Sequence, residues 1–514
     1  MPATPNNKNN KQDKNSTEEK SRDNSLRAEK RRKLHALRKQ GIEPFPHSFK
    51  PTHQAAKLLE KYSSYEPGQK GEDQIVVLAG RLMAKRDMGK ASFFNIQDES
   101  GNMQIYIRRS DLPEKIATAF SLIDIGDIVG VKGFMFKTKK GELSVHAQEF
   151  SILCKTLEPL PEKYHGLTDV ETKYRYRHLD LIMNPETRHI FKMRSKIIAE
   201  IRRFLDERGF LEVETPVLQP IYGGAAAHPF STHHRALNMK LFLKISPELY
   251  LKRLIVGGFN KVYEISKNFR NEGIDRSHNP EFTMMEYYEA YTDYEDQMKQ
   301  FEELVSTVAE KVTGSMKVIY QGKEIDFTPP WRRLPVTDGI KEYGGFDPDQ
   351  LSEEKLFKKI KELGSDREKP GRRGEMVMEA FELRVEQNLW QPTFVIDFPV
   401  EVSPLTKKHR FKPGLVERFE PIVAHMELGN AYTELNDPED QLERLKEQEA
   451  LRVIDEEAQP MDHDFAHAID VGMPPTGGVG LGVERLVMIL TNQASIRDIL
   501  FFPTMKHKYV INTN

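Results

Sequence analysis

The sequence predicts an α+β protein in which a small N-terminal β-barrel of five strands precedes one long domain of mixed helices and strands. Short segments of high β-propensity, some with period-two alternation of apolar and polar residues, fill residues 75–155. Two prolines, Pro159 and Pro161, then mark a linker. From about Thr168 the remaining chain has the length of one large domain, and a clear amphipathic helix follows Pro185.

Five short strands are predicted in the first domain, over residues 75–80, 92–98, 103–107, 127–133 and 142–145. A helical stretch over 113–120 separates the third strand from the fourth, an order that indicates an OB-type barrel. Barrels of this type often bind single-stranded nucleic acid through stacked aromatic rings and nearby cations. The cations that this segment offers are Lys85, Arg86, Lys90, Lys137, Lys139 and Lys140.

The N-terminal residues divide into two segments. Residues 1–25 are polar and are predicted to be a disordered tail. Residues 26–70 are predicted to be a basic helical segment, because Leu26, Leu34 and Leu37 have helical spacing in a stretch where Lys and Arg greatly outnumber acidic residues. Two interpretations stay open: a solvated helix surface, or a contact with the phosphate backbone of a nucleic acid.

Composition excludes several classes of protein. The 514 residues include 76 Lys and Arg against 78 Asp and Glu, so any basic surface must be local. The single cysteine, Cys154, excludes a disulfide framework and a zinc site built on cysteine pairs, and it fits a reducing cytosol. No apolar run reaches the length of about eighteen residues that a membrane span needs, and the N-terminus has no apolar signal core. We therefore expect a cytoplasmic protein that does not enter the membrane.

Residues suited to catalysis and binding concentrate in three stretches of the long domain. Residues 264–291 predict a strand–loop–strand hairpin, in which alternation places Glu286 and Tyr288 on one face and Arg270 near the loop suits a phosphate. Glu427 and Glu434 are seven residues apart, and two carboxylates near phosphates indicate Mg²⁺. Residues 477–485 are dense in glycine and lead into an apolar helix.

In this order, and behind an OB-type barrel, the three stretches resemble the class II aminoacyl-tRNA synthetases. Residues 209–216 look like motif 1 of that class, 269–286 like motif 2 and 480–485 like motif 3. An N-terminal OB domain is typical of the aspartyl, asparaginyl and lysyl subgroup. Local strings at 223–225, 247–253 and 434–437 resemble the lysyl members. The resemblance implies an anticodon-binding domain over 71–158 and a catalytic domain over 159–514, built on an antiparallel sheet flanked by helices.

The resemblance also implies roles for individual residues. The motif 2 and motif 3 arginines, Arg270 and Arg485, would be the catalytic residues. ATP would contact Arg270, Glu272, His278, Asn279, Phe282, Glu427 and Arg485. The amino acid would contact Gly224, Glu248, Glu286, Tyr288, Asn430 and Glu434. Magnesium would be held by Glu427 and Glu434, and the anticodon would be read by Phe93, Gln104 and Glu142.

The activity that the resemblance implies is the activation of L-lysine with ATP to lysyl-adenylate and pyrophosphate. Transfer of lysine to the 3′ end of tRNA-Lys would follow, on a homodimer formed through motif 1. Glu248 and Glu286 agree with this substrate, because an ε-ammonium in a desolvated pocket needs carboxylate partners. The alternatives are an aspartyl or asparaginyl ligase, which these glutamates disfavour, a ligase that lysylates a protein, and an RNA-binding protein without catalysis.

Overall fold

The computed structural model describes residues 25–161, 167–452 and 459–506. The chain divides into two compact units, Met1–Gly166 and Leu167–Asn514. The predicted disordered tail, residues 1–25, lies outside the described residues except for its last position. In the described ranges, no helix is both long enough and apolar enough to cross a membrane.

The first unit contains the predicted barrel. Its helices are α1 (residues 25–39), α2 (Ala55–Lys61) and α3 (Glu114–Ser121). Its strands are β1 (Lys70–Met88), β2 (Ala91–Gln97), β3 (Asn102–Arg108), β4 (Ile128–Lys137) and β5 (Leu143–Cys154). The strands close in the order β1-β2-β3-β5-β4, and α3 lies between β3 and β4 in the chain, which confirms the five-stranded OB-type prediction. Strand β1 is longer than predicted because it bends at an irregularity between Leu82 and Ala84 and pairs with both β2 and β4.

Helix α1 is bound to the barrel by some of its own cations. Lys30 is buried, and its Nζ donates to the Ile125 carbonyl and to Thr156 Oγ1, each at 3.1 Å. Lys33 Nζ lies 2.5 Å from Asp124 Oδ1. Cations that hold a helix in place cannot also be solvated or contact phosphates, so neither open interpretation accounts for the whole basic segment.

The second unit is built on a mainly antiparallel nine-stranded sheet, as the fold class predicts. The strands of this unit are β6 (Leu211–Glu212), β7 (Leu218–Gln219), β8 (Ser231–His234), β9 (Met239–Leu243), β10 (Lys261–Phe269), β11 (Glu281–Ala290), β12 (Lys317–Tyr320), β13 (Lys323–Asp326), β14 (Arg332–Pro335), β15 (Thr393–Pro399), β16 (Leu415–Val423), β17 (Met426–Glu427), β18 (Gly429–Thr433) and β19 (Thr476–Gly482). The large sheet has the order β14-β15-β16-β18-β19-β11-β10-β6, with β17 paired to β16. Its parallel pairs are β6–β10 and β14–β15.

Helices flank this sheet. They are α4 (Val170–Arg175), α5 (Arg177–Met183), α6 (Pro185–Asp206), α7 (Glu248–Val256), α8 (Tyr294–Thr313), α9 (Val336–Gly339), α10 (Glu353–Leu363), α11 (Arg373–Arg384), α12 (Pro438–Leu451), α13 (His463–Val471) and α14 (Val483–Leu490). The apolar stripe of α6, including Ile197, Ile201 and Phe204, joins α8, α14 and the sheet in one core. This core fixes the central strands, which carry the site described next.

Candidate active site

A cavity of about 390 Å³ opens over the central strands of the second unit. Strands β11 and β19 contribute to its wall, and Tyr288 of β11 lies opposite Gly478 of β19 in antiparallel register. A Cβ atom at Gly478 would lie 2.0 Å from Oε1 of Glu434. The glycines of β19 are therefore needed to let the neighbouring strands and their polar side chains approach closely.

The structure brings most of the predicted catalytic-domain residues together around this cavity. Those that line it are Gly224, Glu248, Arg270, Glu272, His278, Asn279, Phe282, Glu286, Tyr288, Glu427, Asn430 and Arg485. Glu434 is the predicted residue that does not line it. The predicted hairpin, now seen as β10 and β11, supplies seven of them.

At one end of the cavity, Arg270 follows the last residue of β10. Its backbone N–H donates to the Pro280 carbonyl at 2.9 Å, and its guanidinium lies 5.1 Å from the centre of the Phe282 ring. Its Nε is buried without a hydrogen-bond partner among the described residues. Burial lowers the pKa of this guanidinium, which means that its charge is poorly compensated by the protein itself. Such a group is suited to receive an anion.

The loop between β10 and β11 carries further polar groups at the same end. His278 Nδ1 lies 2.8 Å from Asp275 Oδ2, which orients an exposed imidazole. Asn279 donates from Nδ2 to the Glu281 carbonyl at 2.7 Å, while its Oδ1 is buried without a partner among the described residues. The loop therefore presents polar atoms that a ligand could contact.

Arg485 lies in the first turn of α14, as predicted. Its guanidinium donates to the backbone carbonyl of Glu427, and its Nη1 lies 3.4 Å from the Glu427 Oε2. The adjacent Glu484 accepts from the Thr283 backbone N–H at 2.9 Å and from Arg194 Nη2 at 2.8 Å. Glu484 thus fixes the start of α14 against β11 and α6, and so positions Arg485.

At the other end of the cavity, Glu248 and Glu286 on the wall and Glu434 behind it form a buried acidic cluster. Each is at most 4% exposed. Lys252 is fully buried among them, with its Nζ 2.6 Å from Glu248 Oε1 and in an ion pair with Glu434. The remaining oxygen of Glu248 accepts from the Tyr432 hydroxyl at 2.8 Å.

Glu286 lies on the cavity wall and forms no ion pair with any of the described residues. It accepts from Ser246 Oγ at 2.9 Å and from the Tyr288 hydroxyl at 3.2 Å. Burial and the nearby charge of Glu248 raise its pKa to about 8. An ammonium group bound next to this carboxyl would lower its pKa again and favour the ionised form.

Gly224 packs against Glu248 and Ser246 at the acidic end of the cavity. Its backbone has a φ of +83°, and a Cβ there would lie 2.9 Å from both Glu248 Cβ and Ser246 Oγ. Its backbone N–H donates to Gln459 Oε1 at 3.1 Å. A larger residue at this position would be strained and would also push against the acidic cluster.

The structure does not support the predicted role of Glu434 as a magnesium ligand. Its carboxylate is fully buried and ion-paired with Lys252, whereas Glu427 is 41% exposed at its side chain. The carboxylate next to Glu427 is instead Glu420 of β16. Ile422 lies opposite Glu427, and Glu420, two residues earlier on the same strand, faces the same side.

Glu420 has the properties of a cation ligand. Its Oε1 accepts from Arg418 Nη2 at 2.6 Å. Burial raises its pKa to about 7; Arg418 opposes this rise, and the nearby Glu427 adds to it. Two carboxylates that repel each other on the wall of the cavity fit Mg²⁺, which often takes one or two protein carboxylates and keeps waters and phosphate oxygens. In the described residues, no group of three or more acidic, His or Cys side chains could hold a metal.

Sequence reasoning missed several residues of the cavity and its surroundings. They are Ser246, Lys252, Arg418, Glu420 and Tyr432. Tyr432 had a signal, because it lies on alternating positions between Asn430 and Glu434. Arg418 donates from Nε to Asn430 Oδ1 at 3.0 Å and fixes that amide.

In the first unit, the predicted anticodon residues lie on the outer side of β2 and β3 and next to β5. Phe94 is 1% exposed and points into the barrel core, while Phe93 is only partly buried, as expected for adjacent strand residues. The Phe93 ring lies 5.0 Å from that of Tyr106. Gln104 accepts from Ser144 Oγ at 2.8 Å, and Glu142 is exposed in the turn before β5.

Comparison with known proteins identifies two families. Residues 169–506 match the family described as tRNA synthetases class II (D, K and N), and residues 76–153 match the OB-fold nucleic acid binding domain. A lysine–tRNA ligase of Carboxydothermus hydrogenoformans is 54% identical over 92% of this chain and 96% of its own length. The lysine–tRNA ligase of Pelotomaculum thermopropionicum is 52% identical over 94% and 95%. That of Nostoc punctiforme is 50% identical over 94% of this chain and 88% of its own.

Proposed function

Because the chain belongs to the class II tRNA synthetases, we propose that it joins L-lysine to tRNA at the expense of ATP. The observation that carries this proposal is the separation of charge inside one cavity. A guanidinium whose Nε has no partner in the described part of the chain lies at one end, and a cluster of three buried carboxylates with one lysine lies at the other. A free amino acid with an ammonium side chain and an ATP phosphate carry the complementary charges.

The first step is the in-line attack of the lysine carboxylate on the α-phosphate of ATP, which releases pyrophosphate and forms lysyl-adenylate. The nucleophile is already an anion, so no general base is required. Arg270 holds the carboxylate and the α-phosphate together, and Arg485 and Phe282 hold the adenine between them. Catalysis is then mainly positioning and neutralisation of the phosphate charge.

Mg²⁺ fits this site as the cofactor of the first step. Glu427 and Glu420 are the residues that would hold it, on the grounds of their shared face and raised Glu420 pKa. The ion supplies charge neutralisation for the ATP phosphates. His278, Asn279 and Glu272 contact the nucleotide from the loop between β10 and β11.

The second step is the attack of the terminal ribose hydroxyl of tRNA-Lys on the adenylate carbonyl. The barrel selects the tRNA through its anticodon, with Phe93 stacking a base and Gln104 and Glu142 contacting polar edges. The enzyme acts in the cytoplasm as a homodimer through residues 209–216, the stretch that resembles motif 1. These are the partners and the location that protein synthesis requires.

ATP–pyrophosphate exchange without tRNA, measured against each standard amino acid, tests the proposed function. Exchange is expected with lysine. With aspartate or asparagine it should be at least about a hundredfold weaker, because their side chains leave the buried carboxylates unpaired or repelled. Preference for aspartate would reject the lysine pocket and keep the fold. Complete lack of exchange in the presence and absence of tRNA would favour the RNA-binding alternative.

The barrel assignment makes a separate prediction. Phe93→Ala is expected to raise the KM for tRNA-Lys about tenfold or more in aminoacylation, since stacking on one base contributes roughly 1–3 kcal/mol. Pyrophosphate exchange should not change. Phe45→Ala, which removes an exposed ring of the same unit outside the barrel strands, is the matched control and should alter neither reaction. An equal loss of both reactions in Phe93→Ala would remove the anticodon role.

A further inference from the structure

Lys252 is a buried cation that has no role in the reaction described above. It lies one helical turn after Glu248 on α7 and is fully buried. Its Nζ contacts Glu248 Oε1 at 2.6 Å and pairs with Glu434. The rings of Tyr432 and Phe465 lie 5.6 and 5.9 Å from Nζ and enclose the rest of it.

We propose that Lys252 is a specificity-determining positioning residue: its ammonium offsets one of three buried carboxylates and leaves the cluster two negative charges, which match the two ammonium groups of free lysine. This inference rests on the proposed function. The third charge of the substrate, its carboxylate, belongs to Arg270 at the other end of the cavity. An amino acid with one ammonium group would leave a carboxylate buried and unpaired, at a large cost.

The charges around Lys252 support this count. Glu248 faces it from α7 and Glu434 from the end of β18, and the charge of Glu286 on β11 acts on that of Glu248 and of Glu434. Although burial alone would lower the pKa of Lys252, Glu248 and Glu434 raise it above its ordinary value, so the ammonium stays charged. Burial raises the pKa of Glu434, and Lys252 opposes that rise. Lys252 therefore favours the ionised form of the cluster.

The arrangement also explains how Lys252 acts without touching the substrate. Its bond to Oε1 and the Tyr432 hydroxyl bond to Oε2 fix both oxygens of Glu248. Glu286 lies on the cavity wall, accepts from two hydroxyl groups, and has no such counter-charge among the residues that the structure describes. Substrate ammonium groups are thus directed to the carboxylate surface that Lys252 leaves uncompensated.

The test is the lysine KM and kcat of the full chain in pyrophosphate exchange, measured from about pH 6 to pH 9. Ammonium binding requires ionised carboxylates, so log(1/KM) falls on the acid side of the carboxylate pKa values. Removing the cation in Lys252→Met raises those pKa values, so this acid limb should move upward by about one pH unit. The matching rise in KM at pH 7 is about tenfold, with little change in kcat.

A double variant and a neighbouring variant separate charge balance from structure. Lys252→Met with Glu434→Gln removes one charge of each sign, restores the net charge of the cluster, and should return the acid limb close to its wild-type position. Arg253→Met, on the same helix outside the cluster, should leave the limb unchanged. If Lys252→Met does not fold, the double variant is compared with the wild type only, and the two proteins must show the same acid limb.

Three results would overturn the inference. The first is an equal rise in KM at every pH in Lys252→Met. The second is a double variant whose acid limb coincides with that of the single variant. The third applies if the single variant cannot be made, and is a double variant whose acid limb differs from that of the wild type. These results concern an enzyme that exchanges with lysine. Failure of the wild type to do so would instead reject the proposed function.

Discussion

Arg270→Ala is expected to reduce lysine-dependent pyrophosphate exchange by at least about a thousandfold and to leave tRNA binding intact. The guanidinium lies at the end of the cavity away from the acidic cluster, and its buried Nε has no protein partner among the described residues. Loss of a single preorganised donor to a developing charge costs about 10²–10³ in rate. Arg270 is proposed to contact two reacting groups, the carboxylate and the α-phosphate. The loss in rate should therefore lie at or above the upper end of this range.

The same variant should not lose stability. Removing a guanidinium whose buried Nε has no partner among the described residues relieves a desolvation cost, so the melting temperature is expected to be equal to or higher than that of the wild type. Arg270→Lys keeps the charge but not the planar fork, and should recover only a small part of the activity. Arg235→Ala, in the exposed turn after β8, is the matched control. Exchange by Arg270→Ala within about tenfold of wild type would reject the assignment.

The parts of the fold that sequence predicted are those in which local pattern and burial agree. Alternation along 103–107 identified a barrel strand, because its inner residues, such as Met103 and Ile105, are buried in the barrel core. The hairpin of β10 and β11 was predictable because its local pattern and its burial agree. The change from strand β19 to helix α14 was predictable for the same reason. The full length of β1 was not predicted, because its bulge interrupts the alternation.

The parts of the site that sequence missed depend on which strands become neighbours. Glu420 lies in an ordinary strand, and only the pairing of β16 with β17 brings it next to Glu427. Lys252 follows Glu248 by four residues on a helix, a spacing that is typical of exposed ion pairs. Nothing in the local sequence indicates that this pair is buried against Glu434.

The spacing of the two glutamates also favours separate roles for Glu427 and Glu434. Glu427 and Glu434 are an odd number of positions apart, so a continuous strand would turn their side chains to opposite faces. Glu434 instead continues the series Asn430 and Tyr432, whose side chains contact the acidic cluster or its neighbours. It is therefore placed with the amino-acid pocket and not with the phosphates.

This reassignment gives the second large prediction, which concerns magnesium. Glu427→Gln and Glu420→Gln are each expected to raise the Mg²⁺ concentration for half-maximal pyrophosphate exchange about tenfold or more, and to lower the maximal rate. A direct ligand should matter at least as much as the supporting groups of a metal site, whose loss typically costs 10–100-fold in affinity. The measurement is exchange at saturating lysine and ATP as Mg²⁺ is varied.

Glu434→Gln separates the two assignments, because it is expected to leave the Mg²⁺ curve unchanged while it raises the KM for lysine. Glutamine keeps the shape of the side chain, and its effect reports the loss of one buried negative charge beside Lys252. If Glu434→Gln instead shifted the Mg²⁺ requirement as strongly as Glu427→Gln, the metal would be held as the spacing of the two glutamates first predicted. In that case Glu420 would be bound only to Arg418, and Glu420→Gln would leave the Mg²⁺ curve where it is.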